Sequence, residues 1–171
     1  QRGNVGDALI MGVESLTEIN LDRLIWKNNS SIDLSLFFNF STINSEYVRS
    51  DEPGIEGKKV EFIPTHNYKL GTKFGYKNFY TSLQLTSVGE QFSDASNAVE
   101  GTLSGVIGKI PSYQIIDLSA NYLFGKFKIE TGINNLANEI YFTRRATGYP
   151  GPGIIPSPPR NYYITIQFRP L

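Results

Sequence analysis

Apolar and polar residues alternate with a period of two along most of this 171-residue chain. In one clear stretch the apolar positions are Ile32, Leu34, Leu36, Phe38 and Phe40, and polar residues occupy most positions between them. Successive side chains of a β-strand point to opposite faces, so this period indicates strands whose two faces meet different surroundings. No segment shows the sustained 3.6-residue period of an amphipathic helix. The pattern therefore predicts an all-β protein.

The alternation predicts about seven antiparallel strands. They cover residues 5–22, 30–49, 58–76, 79 onward, 112–124, 127–142 and 160–169. Several of them are far longer than the usual strand of about five or six residues. Charged residues such as Glu14, Glu18, Lys69, Lys73, Lys128 and Glu130 fall on the polar face. We expect that face to line a water-filled or protein-filled lumen, which tolerates charge.

The connections between the predicted strands alternate in length. Residues 22–30, 75–78 and 124–127 form the shorter connections, and residues 49–58, 93–112 and 143–160 form the longer ones. Because antiparallel strands alternate in direction, all the longer connections lie at one end of the sheet. Short turns at one end and long loops at the other are typical of an outer-membrane β-barrel. The aromatic girdle of such a barrel is predicted at Phe74, Tyr76, Phe79, Phe124, Phe127 and Phe168.

A soluble β-sandwich also alternates, but its strands are shorter and its loop lengths need not separate by end. A transmembrane barrel fits better, although an odd number of strands cannot close one. Open strand edges are not tolerated in hydrocarbon. We therefore expect residues 1–171 to be the C-terminal part of a larger antiparallel transmembrane β-barrel, with the earlier strands outside this sequence.

The amino-acid composition of the chain excludes several functional classes. The chain has 16 basic and 16 acidic residues, so no nucleic-acid-binding charge pattern is present. It has no cysteine, which excludes disulfides and thiolate metal sites, and no run of about 20 apolar residues that would form a membrane helix. The single histidine, His66, falls on the apolar face and predicts a structural role at the membrane interface. No catalytic residue, cofactor or metal site is predicted, and the protein is not expected to be an enzyme.

Three segments carry a family resemblance: IPSYQIIDLSANY (110–122), NNLANEIY (134–141) and PPRNYYITIQF (158–168). Their order and spacing resemble the C-terminal barrel of TonB-dependent outer-membrane receptors, and the resemblance covers nearly the whole chain. YFTRRATGYPGPGIIP (141–156) is most similar to receptors of the ferric-citrate and siderophore type. One departure is that the chain continues for RPL after Phe168, whereas the family usually ends on an aromatic residue.

The resemblance implies a receptor of the outer membrane of a Gram-negative bacterium, in which a barrel of about 22 strands surrounds an N-terminal plug. The chain would supply the last strands. Its implied partners are the plug, the remaining strands, membrane lipid, the TonB complex reached through the plug, and a siderophore, ferric citrate or a similar small nutrient. Three alternatives stay open: a passive porin or other plug-less barrel, a barrel enzyme, and a soluble β-sandwich binding module.

The last long connection contains the predicted ligand-binding residues. Arg144, Arg145 and Arg160 bracket a proline-rich segment, and guanidinium groups suit carboxylates and anionic iron chelates. Tyr149 could stack on a ligand. The alternative is that the arginines contact lipopolysaccharide phosphates or only water. The prolines are expected to make the loop stiff without the need for ladder partners. In the preceding loop, Asp94 and Asn97 predict turn chemistry, in which side chains bond their own backbone.

Overall fold

The computed structural model describes residues 4–26, 31–148 and 151–170. Its elements in chain order are β1 (Asp7–Asn20), α1 (Leu21–Trp26), β2 (Ile32–Arg49), β3 (His66–Tyr76), β4 (Phe79–Val88), β5 (Gln91–Phe92), β6 (Lys109–Ile110), β7 (Tyr113–Phe124), β8 (Phe127–Asn134), β9 (Phe142–Ala146), β10 (Gly153–Pro156) and β11 (Asn161–Phe168). The main sheet has seven strands in the order β1–β2–β3–β4–β7–β8–β11. Every strand in it is antiparallel to its neighbours. The predicted antiparallel, nearly all-β architecture is confirmed.

Two of the predicted strands are too long. The third, predicted over 58–76, begins only at His66, because Phe62 has a φ of 59° and Pro64 has no N–H to donate. The sixth, predicted over 127–142, ends at Asn134, because Asn135 has a φ of 54°. A positive φ takes the chain out of the extended conformation that a strand requires. The other predicted strands agree with the structure to within two residues at each predicted boundary.

Long and short connections separate by end, as the sequence predicts. Residues 50–65, 89–112 and 135–160 join strands at what we call the loop end, and residues 21–31, 77–78 and 125–126 join them at the turn end. Two of the long loops contain small hairpins, β5–β6 and β9–β10. The proline-rich loop therefore contains ladder pairs, between β9 and β10, although stiffening by proline would not require them. Pro152 lies just before β10 and Pro156 is its last residue, positions where the hairpin needs few N–H donors.

The register gathers apolar residues on one face of the sheet. Directly opposed residues on neighbouring strands form the row Thr17, Phe38, Leu70, Leu85 and Ile116. A second row contains Leu83, Leu118, Ile133 and Tyr162. Near the turn end the Phe127 and Phe168 rings lie 5.1 Å apart, within the predicted aromatic girdle. We call this side of the sheet the apolar face and the opposite side the polar face.

The apolar face is not covered by a second layer of the described residues. On β11, Tyr162, Ile164, Ile166 and Phe168 remain 68, 71, 67 and 57% exposed. A sheet that folds in water buries its apolar face against helices or another sheet. A β-sandwich would place that second sheet about 10 Å away. The exposed apolar face therefore matches a sheet whose solvent on that side is lipid.

The buried residues lie mainly at the loop end. Described side chains with less than a tenth of their surface exposed are Tyr47, Ile55, Val88, Ile110 and Ala146, together with the polar residues Ser35, Ser45, Gln91 and Asn135. All except Ser35 come from the long loops or from strand residues near that end. The α1 helix has six residues, and within the described ranges no helix has the length and apolar character needed to cross a membrane.

Arginine substitutions at adjacent positions of β11 test which face meets lipid. Ile164→Arg puts a charge on the apolar face, and Thr165→Arg puts it on the polar face opposite Glu130. We expect Ile164→Arg to destabilise the folded protein by about 2–4 kcal/mol and Thr165→Arg by less than about 1 kcal/mol. Urea unfolding in lipid vesicles, followed by heat-modifiable gel mobility, measures both. Equal losses at the two positions would contradict a lipid-facing apolar face.

Candidate functional site

The three long loops pack against one another at the loop end. We call this assembly of residues 50–65, 89–112 and 135–160 the loop layer. Asn97 joins the first loop to the second: its Oδ1 accepts from the Lys59 N–H at 2.7 Å, and its Nδ2 donates to the Lys59 carbonyl at 2.8 Å. The Phe62 N–H donates to the Phe92 carbonyl at 2.8 Å. The first and second loops are therefore held by direct hydrogen bonds.

The first loop is also anchored to β2. The Tyr47 hydroxyl donates to Glu61 Oε2 at 2.6 Å, and the backbone N–H of Tyr47 donates to the Lys58 carbonyl at 2.9 Å. In the second loop, Asp94 Oδ1 accepts from the Ser96 N–H at 3.0 Å and from the Ser96 hydroxyl. The turn chemistry predicted for Asp94 is present. The cross-loop bonds of Asn97 were not predicted, because backbone partners 38 positions away leave no pattern in residue types.

Arg145 joins the second loop to the third. Its Nε and Nη2 donate to the Lys109 carbonyl at 3.3 and 2.9 Å, and its Nη1 donates to the Gly105 carbonyl at 2.8 Å. The guanidinium carbon also lies 5.2 Å from the centre of the Phe142 ring. Charged donors make stronger hydrogen bonds than neutral ones. This side chain is therefore a strong contact between the two loops.

Two glycines let the same loops approach closely. A Cβ on Gly105 would lie 3.3 Å from Gly153 Cα, and a Cβ on Gly153 would lie 3.2 Å from the Ser104 carbonyl oxygen. Both residues have positive φ, 71° for Gly105 and 131° for Gly153, a conformation that residues other than glycine rarely adopt. The backbones of the second and third loops therefore meet without intervening side chains.

Asn135 fixes the point where the third loop leaves β8. Its side chain bonds both backbone groups of Glu139, at 2.8 Å to the N–H and 2.9 Å to the carbonyl. Its own N–H donates to Asp117 Oδ1 at 2.9 Å, and the residue is only 2% exposed. Asn138 Oδ1 accepts from the Arg160 N–H at 3.0 Å, close to where the loop returns to β11. This corner therefore sets the position of the β9–β10 hairpin.

The loop layer encloses a concavity of about 660 Å³, which we call the loop concavity. Its lining residues are Phe62, Gln91, Ser93, Asp94, Val106, Ile107, Thr143, Arg144, Arg145, Ala146 and Thr147. Small-molecule sites typically have volumes of about 300–1,000 Å³ and combine apolar walls with a few polar groups. The loop concavity has both the size and the mixed lining of such a site.

The structure brings together two of the four predicted ligand-binding residues. Arg144 and Arg145 both line the loop concavity. Arg144 is exposed, and within the described part of the chain no hydrogen bond or ion pair engages its guanidinium. Tyr149 lies outside the described residues. Arg160 immediately precedes β11 and is not part of the lining.

The polar face contains paired charges. Lys73 Nζ lies 3.1 Å from Glu18 Oε1, which also accepts from the Ser35 hydroxyl at 3.2 Å. On β8, Lys128 and Glu130 form a 2.8 Å ion pair. The predicted separation of charged and apolar residues onto opposite faces is therefore present. These groups neutralise one another along the wall of the sheet.

His66 stacks on Tyr68 with ring centres 4.9 Å apart, and its Nδ1 lies 3.4 Å from the Thr65 hydroxyl. This placement is consistent with the structural role predicted for it. Among the residues that the structure describes, no three His, Cys, Asp or Glu side chains lie close enough together to hold a metal ion.

Comparison with known proteins matches the chain to one protein family. The family model described as "TonB dependent receptor-like, beta-barrel" matches residues 1–136. The ferric citrate transporter FecA in its unliganded form superimposes with a TM-score of 0.82 at 24% sequence identity, over 92% of this chain and 23% of FecA. The ferric yersiniabactin uptake receptor FyuA from Yersinia pestis gives a TM-score of 0.69 at 20% identity, over 95% of this chain and 23% of FyuA.

The copper transporter OprC also gives a TM-score of 0.69, at 18% identity, over 96% of this chain and 24% of OprC. The chain therefore spans about a quarter of the length of these solved structures. At these identities the similarity shows the shared fold.

Asparagine-to-alanine substitutions at 135 and 134 test the corner. Asn135→Ala leaves the Glu139 N–H and carbonyl without their partners, so we expect a loss of about 1–3 kcal/mol in unfolding free energy. Asn134→Ala, the control, removes one exposed bond to Asn161 and should cost less than about 1 kcal/mol. Urea unfolding of the lipid-reconstituted protein compares them. A smaller loss for Asn135→Ala than for Asn134→Ala would show that the corner does not depend on the buried amide.

Proposed function

The chain belongs to the TonB-dependent receptor β-barrel family, whose members are transporters and not enzymes, and on this premise we propose that it is part of a receptor for an anionic iron chelate. Ferric citrate or a siderophore complex would be captured at the loop concavity and imported by a TonB-dependent mechanism. Residues 1–171 would form the C-terminal part of the barrel. The two ends of the described sheet, β1 and β11, would pair with further strands of that barrel.

The location proposed for the protein is the outer membrane of a Gram-negative bacterium. TonB-dependent receptor homologues are outer-membrane β-barrels. The exposed apolar face supports the same environment for this sheet, because it would meet lipid on the outside of the barrel. The polar face, with its paired charges, would line the lumen and contact the plug, through which TonB acts. The loop end would then point to the cell exterior.

The ligand proposal rests on the position of Arg144 and on its lack of bonded partners among the described residues. It is exposed, it lines the loop concavity, and its guanidinium has no bonded partner among the described residues. A guanidinium offers five N–H donors in a geometry that matches a carboxylate. Ferric citrate and carboxylate siderophores present such groups at their surface. An unengaged arginine in a preformed concavity therefore favours an anionic chelate.

The lining residues also distinguish a chelate from a bare metal ion. Copper and other transition metals are bound by imidazole, thiolate and thioether ligands, none of which lines the described concavity. Asp94 supplies the single carboxylate among the lining residues, while Arg144 and Arg145 would repel a cation. A negatively charged complex that already contains its metal fits this charge distribution better.

Charge removal at Arg144 tests the ligand proposal. We expect Arg144→Gln to weaken binding of radiolabelled ferric citrate, or of a ferric carboxylate siderophore, by about 10–100-fold, because a charge-assisted contact is lost. Arg144→Lys should retain part of the affinity. The matched control is Arg169→Gln, which removes an exposed arginine at the turn end of the sheet. Binding is measured on cells that express the full-length protein, normalised to its surface level.

Unchanged binding by Arg144→Gln would show that this arginine does not contact the chelate. A parallel uptake assay in cells that lack TonB separates the proposed receptor from a plug-less porin. Uptake by a receptor of this family should stop without TonB, whereas uptake through a passive barrel should continue.

A further inference from the structure

We propose that Arg145 is a positioning residue, which holds the wall of the loop concavity in place while its neighbour Arg144 contacts the ligand. The inference rests on the proposed function, because it matters for uptake only if the loop concavity is the ligand site. It assigns different roles to two adjacent arginines that have the same charge and line the same concavity.

The first reason is the number of donors that Arg145 has already committed. A guanidinium has five N–H groups. Three of those on Arg145 point at backbone carbonyls, two at Lys109 and one at Gly105, and the planar group also lies over the Phe142 ring. A ligand that took these donors would leave partly buried carbonyls without partners, which is unfavourable. Arg145 is therefore poorly placed to bind an anion as well.

The second reason is what the contacted carbonyls belong to. Residues 102–107 form a compact turn, in which the Gly105 N–H donates to the Thr102 carbonyl at 2.8 Å and the Thr102 N–H to the Ile107 carbonyl at 3.1 Å. Val106 and Ile107, at the end of this turn, supply apolar wall of the loop concavity. Arg145 bonds the turn at Gly105 and the strand that follows it, β6, at Lys109, so its two contacts lie on either side of those wall residues. The position of the Arg145 side chain therefore determines where Val106 and Ile107 lie in the loop concavity.

The third reason is that the contact needs the shape of arginine as well as its charge. Nε and Nη2 reach one carbonyl while Nη1 reaches another four residues away. A lysine ammonium is a compact charge that lacks this planar arrangement of donors. Gly105 and Gly153 bring no side chains to the neighbouring contact. We therefore expect the turn to separate from the third loop when Arg145 is replaced, even by lysine.

The test needs a readout of loop position that does not depend on any ligand. This chain has no cysteine, so nitroxide labels can be attached at Leu103→Cys in the turn and at Ile140→Cys in the third loop, both of which are exposed. Distances between the labels are measured by double electron–electron resonance in the full-length protein in membranes, with any cysteine elsewhere in it replaced. The backgrounds are the parent protein, Arg145→Gln, Arg145→Lys, Arg144→Gln and Arg144→Lys.

We expect one narrow distance population in the parent and in both Arg144 variants, and a broader, longer distribution in both Arg145 variants. A distribution in Arg145→Lys and Arg145→Gln that matches the parent would overturn the proposal. Heat-modifiable gel mobility confirms that each variant has folded. If Arg145→Gln does not assemble, Arg145→Lys decides the question, because it keeps the charge and the aliphatic stem.

Binding of radiolabelled ferric citrate to the same variants provides the second readout. We expect both Arg145 variants to bind ferric citrate with at least tenfold lower affinity, so that lysine does not restore binding at position 145. Arg144→Lys should retain part of the affinity that Arg144→Gln loses. Loss of binding in Arg145→Gln without any change in label distances would show direct ligand contact and overturn the positioning role. If the parent protein binds no iron chelate, the proposed function fails, and the label distances still decide whether Arg145 holds the loops.

Discussion

The structure depends first on the pairing of backbone groups between neighbouring strands. In hydrocarbon no water is present to bond an N–H or a carbonyl, so each strand must satisfy its backbone on the strands beside it. Because the turn-end connections are short, they can join only antiparallel neighbours, and every pair in the main sheet is antiparallel. In the outer-membrane location proposed for this chain, the side chains of one face would meet lipid, and the rows of apolar residues that run across the sheet suit that surrounding.

A sheet stabilised in this way has little interior of its own, and the buried core lies in the loop layer instead. Ile55, Ile110, Ala146 and the Asn135 amide are buried there, outside the strands of the main sheet. The loops are held by side chains that bond backbone groups: Asn97 to Lys59, Asn135 to Glu139, and Arg145 to Gly105 and Lys109. Such bonds fix a loop without a large apolar contact. A preformed concavity then loses less conformational entropy when a ligand binds.

The sequence allows the sheet to be predicted better than the loop layer, and the difference has a physical cause. Strand faces repeat every two residues, so the alternation is visible even in one strand. The strand ends near Phe62 and Asn135 were missed because positive φ at residues other than glycine depends on bonds made elsewhere in the fold. The contacts of Asn97 and Arg145 were also hidden, since a backbone carbonyl accepts equally well from any residue type. Arginines near the loop concavity were predictable, but the division of roles between them was not.

That division follows from the secondary structure of the third loop. If residues 142–146 formed an irregular loop, Arg144 and Arg145 could point the same way and bind one anion together. They lie in β9, where adjacent side chains point to opposite faces. Arg145 reaches the carbonyls of the second loop, so Arg144 points away from that contact and remains without a bonded partner among the described residues. The short hairpin thus does more than shape the loop: it gives neighbouring arginines different surroundings, and therefore different chemistry.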